Sequence, residues 1–279
     1  MQNSKEGSYT TVSAGKLNAA EIKLFGQGLG NQGAVIVTQL DEDEHFRLKV
    51  ADFMLRRGIE PSTDQRIVRA IMGKNYFGPD DWVKFYGASF TKKQLRELAS
   101  FPWNEEVLMS TCPLCGKTVR DCHFAHVGLP AIQASPLSIV KFREFYPETG
   151  QPKFYTYGNA WYNDNDLTKV TTLQLRWYLT HVEIVPKSES KTTQDQQAML
   201  PAEYELPLAI EETVKSFHCV RKTGNYPNSK RYLRCRDLSS DGGRVYVGYF
   251  GSDGFDVERY SDGYCYDRLG AGASRLPDR

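Results

Sequence analysis

The residues best suited to chemistry are three cysteines and two histidines between positions 112 and 126. Cys112 and Cys115 have the Cys-x-x-Cys spacing, in which a turn directs two thiolates at one point. Cys122 and His126 follow closely enough to complete a tetrahedral site, with His123 as the alternative imidazole ligand. Because four protein ligands leave no position open for water, any zinc held here is expected to be structural.

An interpretation without metal stays open for this segment. Cys112 and Cys115 could be free thiols in a turn, and His123 and His126 could belong to a partly buried strand. A catalytic zinc would need a neighbouring acid or base, for which Asp121 is the nearby candidate. The sequence contains no nucleophile elbow, no phosphate-binding P-loop and no HExxH motif. These observations favour a protein that is not an enzyme.

A second segment stands out by composition. Arg244–Arg268 contains five Tyr, four Gly, four Asp, two Ser and one Cys among its 25 residues. This mixture is typical of antibody-type binding surfaces, where rigid rings supply contact area and small polar residues supply adaptable hydrogen bonds. Val245, Val247, Phe250 and Val257 fall between them and suit a core-facing strand side. A tyrosine-rich sheet edge with Gly-Asp turns would give the same composition, so both interpretations remain.

Periodicity predicts the elements that must position these residues. Helical stripes cover His45–Arg57 and Pro61–Met72, and a capping-box pattern at Thr91–Gln94 begins another helix. Ala34–Leu40 has the composition of a short strand or a helix start. We therefore expect an α+β protein with a mostly helical unit at residues 1–104, flexible at its start, and a second domain at residues 105–279.

The second domain is predicted to mix helix and strand. Alternation over Leu173–Val185 predicts a half-buried strand, and Leu206–Glu212 begins a helix with Pro207 in its first turn. Four short strands should follow, at Tyr232–Arg236, Arg244–Phe250, Phe255–Tyr260 and Leu269–Ser274.

Composition excludes several classes of partner. The chain has 279 residues with 35 basic and 34 acidic side chains, and its formal net charge is +1. Nucleic-acid binding would need a clustered basic excess, so a nucleic acid is not an expected partner. The longest apolar run, Ala34–Val37, is far too short to span a membrane. Since MQNSKEGSYT contains no apolar signal region, we expect synthesis in the cytoplasm, with reduced cysteines.

The C-terminal sequence resembles the variable proteins of diversity-generating retroelements. The resemblance lies in Arg231–Phe250, in the closing segment LGAGASR at Leu269–Arg275 and in the Leu-Pro-x-x-x-Glu pattern within Glu205–Glu212. The family's usual ending is Gly-Phe-Arg, from which this ending departs. Trp161–Arg275 also looks like bacterial and phage-type proteins that share the ending. In this family, error-prone reverse transcription rewrites codons to residues that include Tyr, Ser, Asp, Gly, Cys and Phe.

The resemblance implies a C-type-lectin-like domain of the formylglycine-generating-enzyme branch, with a small antiparallel sheet and two helices. Leu173–Val185 would be its first strand and residues 244–268 its variable region. Such a protein is a non-catalytic binder of an unknown protein or surface ligand. Carried over position by position, the expected ligand-binding residues are Tyr246, Tyr249, Asp253, Phe255, Asp256, Tyr260, Ser261, Asp262, Tyr264, Tyr266 and Asp267. The calcium-ligand motifs of true lectins are absent, so neither calcium nor carbohydrate is expected.

Two other functions remain as alternatives. One is a zinc-containing regulatory or nucleic-acid-associated protein that uses the segment Cys112–His126. The other is an enzyme whose pocket is formed by the aromatic residues of Tyr155–Tyr162 and by Trp177, although such aromatics are more often core.

Overall fold

The computed structural model describes residues 23–24, 29, 32–158 and 160–277. The chain divides into two compact units, Met1–Ile59 and Glu60–Arg279. The flexible start predicted for the N-terminal unit lies largely outside the described residues. In the first unit, α1 covers Gly33–Glu42 and α2 covers Glu44–Leu55. Asp43 separates them, and its carboxylate accepts a hydrogen bond from the Phe46 amide at the start of α2.

The second unit holds most of the helices and all the strands that the described residues form. Its helices are α3 (Thr63–Met72), α4 (Pro79–Tyr86), α5 (Lys92–Glu97), α6 (Glu105–Met109), α7 (Val119–Cys122), α8 (Ile139–Arg143), α9 (Asp166–Val170), α10 (Thr193–Ala198) and α11 (Ala209–Thr223), with a 3-10 turn at Trp161–Asn163. Its strands are β1 (Tyr76–Phe77), β2 (His123–Val127), β3 (Ala131–Ile132), β4 (Ser135–Pro136), β5 (Trp177–His181), β6 (Tyr204–Glu205), β7 (Tyr232–Leu238), β8 (Arg244–Gly251), β9 (Gly254–Tyr260), β10 (Leu269–Ala271) and β11 (Ser274–Arg275).

The strands form two main sheets and a small β3–β4 pair. The first sheet has the order β1-β2-β5-β11-β6, and its β2 and β5 are antiparallel with His123 opposite His181. The second sheet has the order β10-β7-β8-β9. The mixture of helices with small sheets confirms the α+β prediction. The C-type-lectin-like assignment stays a prediction.

Local signals in the sequence account for several of these elements. Thr91 and Gln94 form the predicted capping box of α5. At the start of α11 the Asp237 carboxylate accepts a hydrogen bond from the Ala209 amide at 2.5 Å. That helix ends at Gly224, whose φ of 77° is the left-handed conformation that glycine tolerates best. Most predicted helices and strands after residue 60 lie close to their expected positions. The strand predicted over Leu173–Val185 covers only Trp177–His181, and the one predicted over Leu269–Ser274 is divided between β10 and β11.

The division between the units lies well before the predicted boundary at residue 104. Residues 60–104 pack into the same core as the later strands. The indole of Trp82 donates to the Val127 carbonyl at 2.8 Å, and the indole of Trp177 donates to the Leu98 carbonyl at 2.9 Å. The ring of Trp177 also contacts Tyr76. These side chains join the helical segment to β2 and β5, so residues 60–104 belong to the second unit.

Helix α11 supports the second sheet from its apolar side. Phe217 on α11 packs against Phe250 and Phe255 with ring-centroid distances of 4.7 and 5.4 Å. Val245 and Val247 of β8 are fully buried. Because side chains alternate along a strand, this packing leaves the other side of β7, β8 and β9 for a different set of residues.

Candidate functional sites in the second unit

Three cysteines and one histidine converge where β5 ends and β2 begins in the first sheet. Cys112, Cys115, Cys122 and His181 each offer a ligand atom, and these atoms all lie within 4.8 Å of one another. We refer to these four residues as the Cys3His cluster. Their number, types and proximity are those of a tetrahedral site, so the cluster can hold a metal ion.

Three separate segments supply the members of the cluster. Cys112 and Cys115 lie in a tight turn, which is closed by hydrogen bonds from the Cys112 amide to the Lys117 carbonyl and from the Gly116 amide to the Cys112 carbonyl. Cys122 is the last residue of α7, and His181 is the last residue of β5. The cluster therefore joins a local turn to a strand that lies much later in the sequence.

Hydrogen bonding orients the imidazole of His181 for coordination. Its Nδ1 lies 2.7 Å from the Glu183 carbonyl oxygen, which can only accept, so Nδ1 carries the proton. The Nε2 atom is buried and has no hydrogen-bond partner among the described residues. A metal-binding histidine commonly shows this arrangement, with one nitrogen fixed by a carbonyl and the other free to coordinate.

The thiols of the cluster share their protons. The adjacent Cys122 thiol lowers the pKa of Cys112. The adjacent Cys112, together with burial, raises the pKa of Cys122. No disulfide forms among the described residues, since all six cysteines are free. A cation would replace the shared proton and stabilise the thiolates.

The predicted imidazole ligands lie elsewhere, so the prediction of the fourth ligand is wrong. His126 is buried on the other side of β2, where it stacks on Tyr178 and has no hydrogen-bond partner among the described residues. His123 lies beside the cluster, with its Nδ1 3.3 Å from the Cys122 sulfur and its Nε2 3.1 Å from the Tyr204 hydroxyl, but it is not one of the four residues whose ligand atoms converge. The register of β2 and β5 brings in His181 instead. Its one sequence signal is a histidine within the strand predicted over Leu173–Val185.

A cleft of about 520 Å³ adjoins the cluster. Its charged lining residues are Lys117, Asp121, Glu183, Lys187, Glu189 and Arg231. Three are basic and three are acidic, so this cleft has no basic excess that would attract a nucleic acid.

Six tyrosines form a continuous row on the polar side of the second sheet and in the loop that follows it. We call this row the tyrosine array; in order it consists of Tyr249, Tyr232, Tyr246, Tyr260, Tyr264 and Tyr266. Neighbouring ring centroids lie 5.4, 5.1, 6.3, 4.2 and 6.2 Å apart. Most pairs are stacked, so the rings support one another across the sheet. Tyr232 lies outside the segment selected by composition.

Exposure varies along the array. Tyr260 is 53% exposed and Tyr249 is 36% exposed, whereas Tyr246 between them is 6% exposed. The hydroxyl of Tyr232 donates to Asp256, and that of Tyr249 accepts from Arg268. The array therefore presents ring surface at Tyr249 and Tyr260, whereas the rings between them are more buried.

The other predicted ligand-binding residues are distributed around this row. Asp253, Ser261, Asp262 and Asp267 are exposed, Tyr264 and Tyr266 are half-buried, and Asp256 is buried. Phe255 is fully buried against Phe250 and Phe217, so its assignment to a ligand-contacting surface is wrong. The alternation of β9 places it on the same side as Val257.

Carboxylates lie among the tyrosines. Asp256 accepts a hydrogen bond from the Tyr232 hydroxyl at 2.8 Å, and Glu258 accepts one from the Tyr157 hydroxyl at 2.9 Å. Burial raises the pKa of both carboxyl groups. The Arg244 guanidinium lies 2.7 Å from Asp262 and lowers the pKa of that carboxyl. The charged groups are thus largely paired within the protein.

An open cleft of about 580 Å³ lies beside Tyr260 of the array. Tyr157, Trp161 and Glu258 line it together with Arg259 and Tyr260. Part of the aromatic segment predicted to line a pocket therefore does so. Trp177 does not, because it is buried in the first sheet, and the pocket proposed for an enzyme is not formed with it.

Comparisons of the chain with protein-family models, with curated proteins and with solved structures each give no match. Among the described residues, no helix combines the length and the apolar character that crossing a membrane requires.

Proposed function

We propose that the protein is a non-catalytic binding protein and that the tyrosine array is its ligand-contacting surface. The observation that carries the proposal is the continuous row of six rings, built on a sheet whose opposite side is fully packed. Tyrosine is a favourable contact residue because it buries a large area with little loss of conformational freedom. The ligand would be a protein or another macromolecular surface.

The resemblance to variable proteins of diversity-generating retroelements extends this proposal. Side chains at the exposed positions of the array could be exchanged without disturbing the core, as diversification would require. A near-copy of the coding sequence for Arg244–Arg268, with adenines at the variable codons and beside a reverse-transcriptase gene, is the expected genomic arrangement. A neighbourhood without that template would refute diversification while leaving fixed ligand binding intact.

Binding itself is tested with a random-peptide display library as the probe. Binders selected on the wild-type chain should lose at least about tenfold in affinity for the double variant Tyr260→Ser, Tyr264→Ser. Tyr155→Ser is the matched control, because Tyr155 is 38% exposed but lies outside the array. Binders that bind all three proteins equally would contradict the assignment of the surface.

We also propose that the Cys3His cluster holds a structural zinc ion. Three thiolates and one imidazole form a common closed zinc set, and the free Nε2 of His181 suits it. Purified protein should contain about one zinc per chain, and His181→Asn should lose it. His126→Phe should keep it, since His126 lies outside the cluster. Zinc retained by His181→Asn and lost by His126→Phe would reverse the ligand assignment.

A function of this zinc in nucleic-acid recognition has less support. The cleft beside the cluster has balanced charge. A structural role, in which the metal holds the Cys112–Cys115 turn to β5, fits the geometry better.

A further inference from the structure

Asn228 lies between the Cys3His cluster and the Tyr249 end of the tyrosine array. It is 3% exposed and adopts a φ of 52°, a left-handed conformation that asparagine tolerates better than most residues. Asn228 takes no part in the cluster or in the array. Its hydrogen bonds nevertheless lead to both.

On one side, Asn228 binds the segment that immediately follows His181. Its Oδ1 accepts from the Ile184 amide at 3.0 Å, and its Nδ2 donates to the Val182 carbonyl at 3.3 Å. Its own amide donates to the Glu183 carboxylate at 3.0 Å. Glu183 is also the residue whose carbonyl orients the His181 ring. The position of Asn228 therefore depends on the segment that a metal on His181 would fix.

On the other side, Asn228 holds the backbone around Tyr249. Its carbonyl accepts from the Phe250 amide at 3.3 Å and from the Arg231 amide at 3.1 Å. The Arg231 carbonyl accepts in turn from the Tyr249 amide at 2.7 Å. Tyr249 itself has a φ of 46°, which a non-glycine residue keeps only when its surroundings hold it.

The opposite end of the array is anchored by different residues. Arg234 donates to the Tyr264 carbonyl at 2.5 Å, and Thr193 contacts Asp262 through its hydroxyl. These contacts tie the loop after β9 to β7 and α10, not to the segment Val182–Ile184. The two ends of the array thus differ in what supports them.

We propose that Asn228 is a positioning residue through which metal at the Cys3His cluster fixes the Tyr249 end of the tyrosine array and leaves the Tyr264 end unaffected. The significance of this coupling for ligand binding rests on the proposed function. The coupling itself does not, because exchange of backbone amide hydrogens measures it without any ligand.

Amide hydrogen exchange on the full chain tests the coupling. Zinc-loaded wild-type protein is compared with the same protein after chelation. Removal of zinc should speed exchange of the Ile184, Tyr249 and Phe250 amides at least about tenfold, with little change at the Tyr264 amide, because only the first three depend on the Asn228 links.

A substitution then tests the role of the Asn228 side chain in protein that still binds the metal. Asn228→Gly permits the left-handed backbone and removes only the side-chain hydrogen bonds. It should still bind zinc, and exchange at Tyr249 should no longer respond to zinc. Asn225→Gly is the matched control, because Asn225 is exposed and lies outside the link; its response should equal that of the wild type.

Three outcomes would overturn the proposal. One is a wild-type chain that binds no zinc, and another is equal acceleration at Tyr249 and Tyr264. The third is a full zinc response retained in Asn228→Gly. None of these depends on the peptide selection, so failure of the coupling and failure of the proposed binding function remain distinguishable.

Discussion

The Cys3His cluster and the tyrosine array differ in how their residues are held. The cluster draws three buried side chains and the half-buried Cys115 from three segments, and the ligand atoms of all four lie within 4.8 Å of one another. The array is built on consecutive strands of one sheet, and its members contact each other ring to ring. Loss of one member should therefore disable the cluster, whereas the array should tolerate exchange. This difference would separate the proposed structural metal site from the proposed replaceable surface.

The largest expected effect concerns the cluster. His181→Asn should lower the free energy of unfolding by about 5 kcal/mol, because loss of a structural metal removes its binding energy from the folded state. Tyr249→Ser with Tyr260→Ser should change it by less than about 1 kcal/mol. Urea denaturation of proteins purified under the same zinc supply measures both changes in stability, and equal losses would remove the distinction between the two regions.

A second comparison lies within the composition-selected segment itself. Phe255→Ala should cost about 3–5 kcal/mol of stability, since it opens a cavity beneath Phe217 and Phe250. Tyr260→Ala should cost less than about 1 kcal/mol because its ring is half exposed. The same denaturation assay applies, with zinc content as the control for correct folding. A loss of stability in Tyr260→Ala as large as that in Phe255→Ala would show that the array is part of the core.

The buried histidines outside the cluster predict a dependence on pH. Burial, with Lys215 nearby, lowers the pKa of His126 to about 3, and burial also lowers that of His218. The unfolded chain binds these protons below a pH of about 6.5, whereas the folded chain does not. Stability is therefore complete above that pH and falls towards pH 3, by about 1.4 kcal/mol per pH unit for each histidine.

His126→Phe is expected to reduce this slope, because phenylalanine fills a similar volume and binds no proton. Denaturation curves between pH 4 and pH 7 measure the slope. His45→Gln, at an exposed histidine, is the control and should leave the slope unchanged. A slope in His126→Phe equal to that of the wild type would exclude His126 as a source of acid sensitivity.

The smallest expected effect is the stacking of Tyr260 on Tyr264, whose centroids lie 4.2 Å apart. A double-mutant cycle with alanine at both positions should give a coupling of about 0.5–1 kcal/mol. A coupling several times larger would indicate that the rings hold the fold together and are not free to be exchanged.

The sequence predicted those members of the site that lie close together along the chain. The Cys-x-x-Cys turn and Cys122 lie close together along the chain, so their convergence could be expected. His181 could not be found in this way, because antiparallel pairing of β2 with β5 places it opposite His123. The unit boundary was missed for a similar reason, since the partners of Trp82 and Tyr76 lie on strands that come later.

Composition located the array but did not distinguish the two sides of the sheet on which the array lies. It grouped Phe255 with the surface residues, although the alternation with Val257 already placed both on the packed side of β9. It also omitted Tyr232, which precedes the enriched segment but stacks on Tyr249. Alternation along each strand, applied residue by residue, would have corrected both assignments.

The pairing of two arginines around the array, Arg244 and Arg259, has a consequence for the proposed ligand binding. Arg244 is bonded to Asp262 and Arg259 to Asp241, so these guanidinium groups are neutralised before any partner arrives. If the array binds a ligand as proposed, long-range attraction by these two groups would contribute little to the encounter, and the bound state would rely on ring contact and short hydrogen bonds. Such an association should be slow but nearly insensitive to ionic strength.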